Sequence, residues 1–350
     1  MTDENWQAQL IRTLAPADSA GRPATLVEEP GEPAPEPPVF HGGTATDAVQ
    51  GTEVLARHAG VHGDPPARRG LRALRTILGR EATREVEELA ALAERAGQPI
   101  TTGRRITVAG VRGGAGKSTV SALLTTTLAG LRRDHVLAVD ADADAGSLPL
   151  RLGPLGEGVA GAGDLAPTSA FQRVARYLDR TAGGVWLWRR ALSAALARQD
   201  EAQAALLLRD RVRFLGRHFA VTVADLGAGL HGAANRALIA DSHAVLLTGT
   251  ATLDGVLGVD AALRRLGQDH GFATLTRAVL VLATTVPGPL GVDLRRAADG
   301  LRSFGVPVLV LPFDRHLALG AAIDQSRLGA GTRAAALRVA AATMDRATLP

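Results

Sequence analysis

Within GVRGGAGKSTV, residues 110–120, stands Lys117, the sole lysine of a 350-residue chain whose other 38 basic residues are arginine. Gly113, Gly114 and Gly116 leave the backbone free to turn tightly with its N–H groups facing inward. A helix beginning at the lysine adds its own N-terminal donors, and together they make a cradle for an anion. Lys117 offers a compact ammonium to the β- and γ-phosphates of a nucleotide, and the Ser118 hydroxyl suits Mg2+. A guanidinium is planar and larger and fits that point-charge position poorly, which accounts for one lysine among arginines. The competing reading, an ordinary glycine-rich turn, sits badly with a loop set between an apolar run and a helical one.

Carboxylates recur at comparable places. VLAVDADADAGSL carries Asp140, Asp142 and Asp144, and FAVTVADLGAGL carries Asp225. Each group closes a hydrophobic run, and acids at the carboxyl ends of strands in an open sheet stand where ligands bind. The alternative for the acidic run is a solvated loop, a reading that weighs most on Asp144.

The elements that must position these groups follow from the hydrophobic pattern. RITVAGV, HVLAVDAD, FAVTVADLG, HAVLLTGTA, AVLVLAT and VPVLVLPFD are continuously apolar, as strands buried on both faces must be. Helical stretches such as STVSALLTTTLAGL and LDGVLGVDAALRRLG separate them, which predicts βαβ units. The expected fold is α/β, a mostly parallel sheet flanked by helices. Aromatic residues are only 3% of the chain, so the core must be built from Ala, Val and Leu.

The strict phosphate-loop pattern needs Gly at position 111, where this chain has Val. The stretch from Arg112 to Thr119 instead resembles the deviant Walker A loop of the ParA/MinD family of P-loop ATPases, and the resemblance runs over residues 104–345. It implies that Gly113, Gly114, Ala115, Gly116, Lys117, Ser118 and Thr119 wrap the phosphates of ATP, and that Ser118, Asp140 and Asp225 hold Mg2+. Asp142 would orient the attacking water, fitting a reaction that needs water positioning and charge neutralisation more than covalent help. Arg112 takes the place of the family's signature lysine, which crosses a dimer interface to the partner's nucleotide. The Gly-Ala-Gly after Asp225 resembles switch II, and Pro312 to Asp314 would border the adenine, with Thr284 or backbone completing the base pocket. GTPases of this broad class carry an N/T-K-x-D guanine reader, which would need a second lysine, so ATP is favoured over GTP. Relatives with iron–sulfur chemistry need cysteines, and this chain has none; tyrosine-kinase relatives use a Tyr-rich tail, and Tyr177 is its sole tyrosine.

Zero cysteines also exclude disulfides and thiolate metal sites. Residues 1–66 hold ten acids against three arginines, net −7, leaving +11 for the rest. With EEPGEPAPEPPVF inside it, this segment is expected to be a disordered acidic arm, 67–100 a helical linker and 101–350 the ATPase domain. NWQAQLIRTLA in the arm reads either as a transient helix or as a recognition peptide for a partner protein. A Pro-rich acidic arm ahead of such a domain resembles the type VII secretion-associated members of the family. The resemblance implies a switch that forms an ATP-dependent homodimer and controls the positioning, secretion or assembly of a partner. The alternatives are an ATP-binding scaffold that barely hydrolyses, or a partition-type DNA binder using Arg295, Arg296, Arg302, Arg333 and Arg338. No signal or spanning segment is legible, which predicts a cytoplasmic chain associated at most peripherally with membrane or nucleoid. The alanine-rich C-terminus lacks a strong basic amphipathic face and reads as a packing helix rather than a membrane anchor.

Overall fold

A computed structural model describes residues 80–142, 146–155, 170–189, 200–288 and 291–349. The acidic arm, residues 67–79 of the expected helical linker and Asp144 lie outside the described residues. In chain order the elements are α1 (Arg80–Gly97), β1 (Arg104–Gly110), α2 (Lys117–Leu131), β2 (Val136–Ala141), α3 (Leu148–Leu152) and β3 (Pro154–Leu155). Then come α4 (Phe171–Ala175), β4 (Asp179–Thr181), β5 (Trp186–Trp188), α5 (Glu201–Leu215), β6 (Val221–Leu226) and α6 (Ala233–Asp241). The chain continues through β7 (Ala244–Thr250), α7 (Leu253–His270), α8 (Phe272–Thr276), β8 (Ala278–Ala283) and α9 (Leu294–Arg302). It closes with β9 (Val308–Leu311), α10 (Arg315–Ala318) and α11 (Ala330–Ala347).

Among the described residues the strands form one nine-stranded sheet in the order β3-β4-β5-β2-β6-β1-β7-β8-β9. From β5 to β9 in that order every neighbour pairs in parallel, and the antiparallel pairings, β3 with β4 and β4 with β5, lie at one edge. All six apolar runs of the sequence are strands, and they occupy the middle of the sheet and one flank. The sequence pattern missed β3, β4 and β5, because two or three residues are too few to show a periodicity. They bring local aromatic packing: Trp186 of β5 meets Phe171 edge to face, with ring centres 5.4 Å apart.

Alternation along the strands sorts the helices onto two faces. Ile106 and Val108 of β1 pack into a core shared with α1, α2 and α11, built from residues such as Leu124, Leu128, Val339 and Ala340. Thr107 faces the other way, its hydroxyl donating to the Leu238 carbonyl of α6 at 3.3 Å. Gly249 of β7 has no room for a side chain because Val259 of α7 lies against it. The helix α1 is part of this packing: Leu92 and Ala96 are buried in the shared core, and Arg95–Asp345 and Arg338–Glu88 ion pairs join α1 to α11. Buried alanines along α11 let it lie close against the sheet and α1, as expected of a packing helix.

Candidate functional site

The site grows from the end of β1. A Cβ on Gly110 would stand 2.7 Å from Thr248 Oγ1 and 3.0 Å from Lys117 Cγ, so the lysine stem crosses the strand end where only glycine leaves space. The loop then passes through Gly114 and Gly116 at φ of 75° and 82°, left-handed backbone that side chains rarely adopt. No side chain caps the N-terminus of α2, which leaves its first donors for an anion. Lys117, the first residue of this helix, is buried at 8% exposure with its stem packed over Gly110.

Strand register assembles the acids. Asp140 of β2 stands directly beside Asp225 of β6, and Asp225 beside Val108 of β1. Both carboxyl groups are buried. Ser121 Oγ donates to Asp225 Oδ1 at 2.8 Å, and Ser118 adds a second hydrogen bond. Burial nevertheless pushes Asp225 up to about 7; the two serines and Lys117 oppose the rise, while neighbouring Asp140 adds to it. Its Oδ2 is buried without a hydrogen-bond partner. A divalent cation held by Ser118, Asp140 and Asp225 would satisfy that oxygen and favour the ionised form, so the residues fit one. Among the described residues no three His, Asp or Glu side chains converge. Such an ion would therefore complete its shell with ligand oxygens and water, which is the habit of Mg2+.

Asp142 is held at the edge of this layer. Its N–H faces Asp140 Oδ1 at 3.4 Å, and a Cβ on Gly227 would come within 3.0 Å of its own Oδ1. Gly146 is equally constrained, since a side chain there would strike the Asp140 carboxylate. The segment after β6 is pinned at Gly229, whose N–H donates to the Gly110 carbonyl at 2.9 Å and whose carbonyl accepts from Asn235 at 2.8 Å.

These pieces surround a cleft of about 480 Å³. Gly113, Gly114, Gly116, Lys117, Ser118 and Thr119 line it, together with Asp142, Ser147 and Arg151, and with Ala283 to Thr285, Leu311 to Asp314, Leu317 and Ala318. The structure thus brings together most of the loop residues, Asp142, Thr284, Pro312 and Asp314. Asp140 and Asp225 lie buried next to the loop rather than in the cleft wall, and Ala115 turns its methyl inward. Asp314 also braces the backbone around the cleft. Its Oδ1 accepts from the N–H groups of His316 and Leu317, and its Oδ2 from Gly329, which caps α10 and steadies the start of α11. Arg112 does not line the cleft. Its guanidinium pairs with Asp254 at the head of α7, 2.7 Å away, with both side chains about two-thirds exposed.

Sequence reasoning passed over Gly110, Ser121, Gly146 and Arg151. Ser121 had a signal, because it stands one turn beyond Ser118 on the same helix face. Arg151 had none, as one arginine among 38. The arginines considered for DNA fall on α9 and α11, where Arg296, Arg302 and Arg338 are ion-paired with Asp293, Asp299 and Glu88. Among the described residues no helix is long and apolar enough to cross a membrane.

Comparison with known proteins agrees with this geometry. Residues 106–322 match the CobQ/CobB/MinD/ParA nucleotide binding domain. The chain is 30% identical over 248 residues to the ESX-1 secretion-associated protein EspI of Mycobacterium tuberculosis; the match covers 69% of this chain and 36% of that relative, so the chain spans little more than a third of its length. The ParA family ATPase of Chlorobium tepidum superposes with a TM-score of 0.54 at 14% identity, over 68% of this chain and 98% of that one. The septum site-determining protein MinD of Pyrococcus horikoshii, solved with Mg-ADP, gives 0.51 at 20% identity, over 68% and 94%. With that family model matching 106–322, well over half of the chain, and the fold shared with these structures, the chain belongs to the CobQ/CobB/MinD/ParA nucleotide-binding family.

Proposed function

We propose that the chain is an ATP-hydrolysing switch whose ATP-bound form is a homodimer, and that the switch controls secretion or assembly of a partner protein. The observation that carries this reading is Lys117, a buried residue at an uncapped helix N-terminus that lines the cleft beside the Asp140–Asp225 pair. Lys117 and the loop N–H groups hold the β- and γ-phosphates. Ser118, Asp140 and Asp225 hold Mg2+, which when bound neutralises phosphate charge as it develops. Asp142, on the cleft wall and against Gly227, orients the attacking water and accepts its hydrogen bond. The structure of a relative with Mg-ADP supports the choice of ligand. Likeness to a secretion-associated protein supports the secretion reading, with residues 1–66 as the segment offered to the partner.

Titration calorimetry with ATP and Mg2+ tests the ligand. Lys117→Ala abolishes binding, and Lys117→Arg fails as well, because a planar guanidinium cannot take the place of a compact ammonium between the phosphates. An arginine variant that bound like wild type would overturn this assignment of the lysine. Turnover measured on wild type and Asp142→Ala tests hydrolysis; binding without turnover in wild type would favour a scaffold.

A further inference from the structure

Among the described residues two cationic side chains line the cleft, Lys117 and Arg151, and the phosphate loop accounts for only the first. Arg151 stands on the short helix α3, which follows Asp142 in the chain. Its Nη1 donates to the Leu317 carbonyl of α10 at 2.7 Å, and its own carbonyl accepts from the N–H of Ile323 at 2.8 Å. Two hydrogen bonds therefore tie the segment that follows Asp142 to the connection between β9 and α11. The guanidinium is not fully satisfied by them: its Nε is buried and has no hydrogen-bond partner. A buried, unpaired donor is costly, and a guanidinium has donors only, so what is missing is an acceptor. The lining around Leu317 (Pro312, Phe313, Leu317 and Ala318) is apolar, and the one acid there, Asp314, is committed to main-chain N–H groups. Such a slot suits a sugar and a flat base rather than phosphate.

We propose that Arg151 contacts the nucleoside end of the bound nucleotide, the guanidinium edge left open by Leu317 donating to a ribose or base acceptor while Nη1 keeps hold of Leu317. This deepens the nucleotide reading and rests on it. Arg151 would then sense whether a nucleoside is present and relay its position to the segment carrying Asp142.

The test uses the full chain, calorimetry in Mg2+ buffer and two probes, ADP and inorganic tripolyphosphate, the second lacking sugar and base. Arg151→Ala is expected to weaken ADP binding about tenfold or more, the scale of one charge-assisted hydrogen bond. Tripolyphosphate binding should stay within about twofold of wild type, as befits a group that makes no phosphate contact. Lys117→Ala should lose both probes. If Arg151→Ala fails to fold, Arg151→Lys serves in its place: one ammonium keeps the Leu317 bond but cannot also replace the open edge of the guanidinium, so the same split between probes is expected. Unchanged ADP affinity, or equal weakening of both probes, overturns the proposal alone. Wild type that binds neither probe overturns the nucleotide reading and this proposal with it.

Discussion

At the scale of single residues, the site works by close approach. The Lys117 stem passes over Gly110, the Asp140 carboxylate lies against Gly146 and the Asp142 carboxylate against Gly227. In each case a missing side chain decides where a charged one can stand, which glycine's conformational freedom alone would not explain. Gly110 is the sharpest instance, because its neighbours are a lysine stem and a threonine hydroxyl packed in the sheet. Gly110→Ala is therefore expected to lower stability by about 1–3 kcal/mol, the usual cost of overpacking. It should also weaken ADP binding at least tenfold by displacing the ammonium. Denaturant titration and calorimetry read the two effects separately; an alanine variant with wild-type affinity would show that the lysine can be seated another way.

At the scale of elements, two features beyond the phosphate loop hold the sheet and its helices together. The first is α1, whose Leu92 and Ala96 enter the core shared with α2 and α11. Leu92→Ala is expected to cost about 2–3 kcal/mol in denaturant unfolding and to leave ADP affinity unchanged, since α1 touches none of the cleft. A variant that lost nucleotide binding with its fold intact would contradict that separation. The second is the start of β7, where His243 pairs with Arg105: its Nδ1 accepts from the Arg105 N–H at 2.9 Å and its N–H donates to the Arg105 carbonyl at 2.7 Å. Burial pushes the imidazole down to about 4, helped by Arg105, Arg104 and Arg277 and opposed by Asp241. Between about 6.5 and about 4 the unfolded chain therefore binds a proton that the folded chain does not, and stability falls as pH falls through that window. The expected drop in melting temperature is about 2–4 °C, for the roughly 1 kcal/mol that remains after solvent screening of a half-exposed ring. His243→Gln should flatten the slope in melts run from pH 7 to 4; an unchanged slope would place the proton uptake elsewhere.

At the scale of the whole molecule, the question is what a second copy would find. In the single chain Arg112 is turned to Asp254, an exposed pair that water screens and that is easily released. If the ATP-bound form is a dimer, Arg112→Ala stays monomeric with saturating ATP, and Asp142→Ala accumulates as a dimer because hydrolysis no longer reopens it. Asp254→Ala, which frees Arg112 without touching the cleft, should dimerise at least as readily as wild type. Light scattering after size exclusion distinguishes these outcomes. Identical monomers for all four proteins would end the dimer reading and leave an ATP-binding scaffold.

By itself the sequence determined the chemistry and the middle of the fold. A lone lysine in a glycine loop is legible because no other residue type does its work, and six long runs are legible as strands because burial on both faces keeps them predominantly apolar. It also placed Asp140, Asp142 and Asp225 at strand ends, since a carboxylate after an apolar run has few other places to go. Only the tertiary structure decided which acids meet, because the pairing of β2 with β6 joins positions 85 residues apart by register rather than by spacing. The same holds for Ser121 beneath Asp225 and for Arg112, which was expected to reach a partner's nucleotide across a dimer and in the single chain faces Asp254. Arg151 was hidden for the plainest reason: its meaning lies in an unpaired buried nitrogen, and burial belongs to the folded chain, not to the residue.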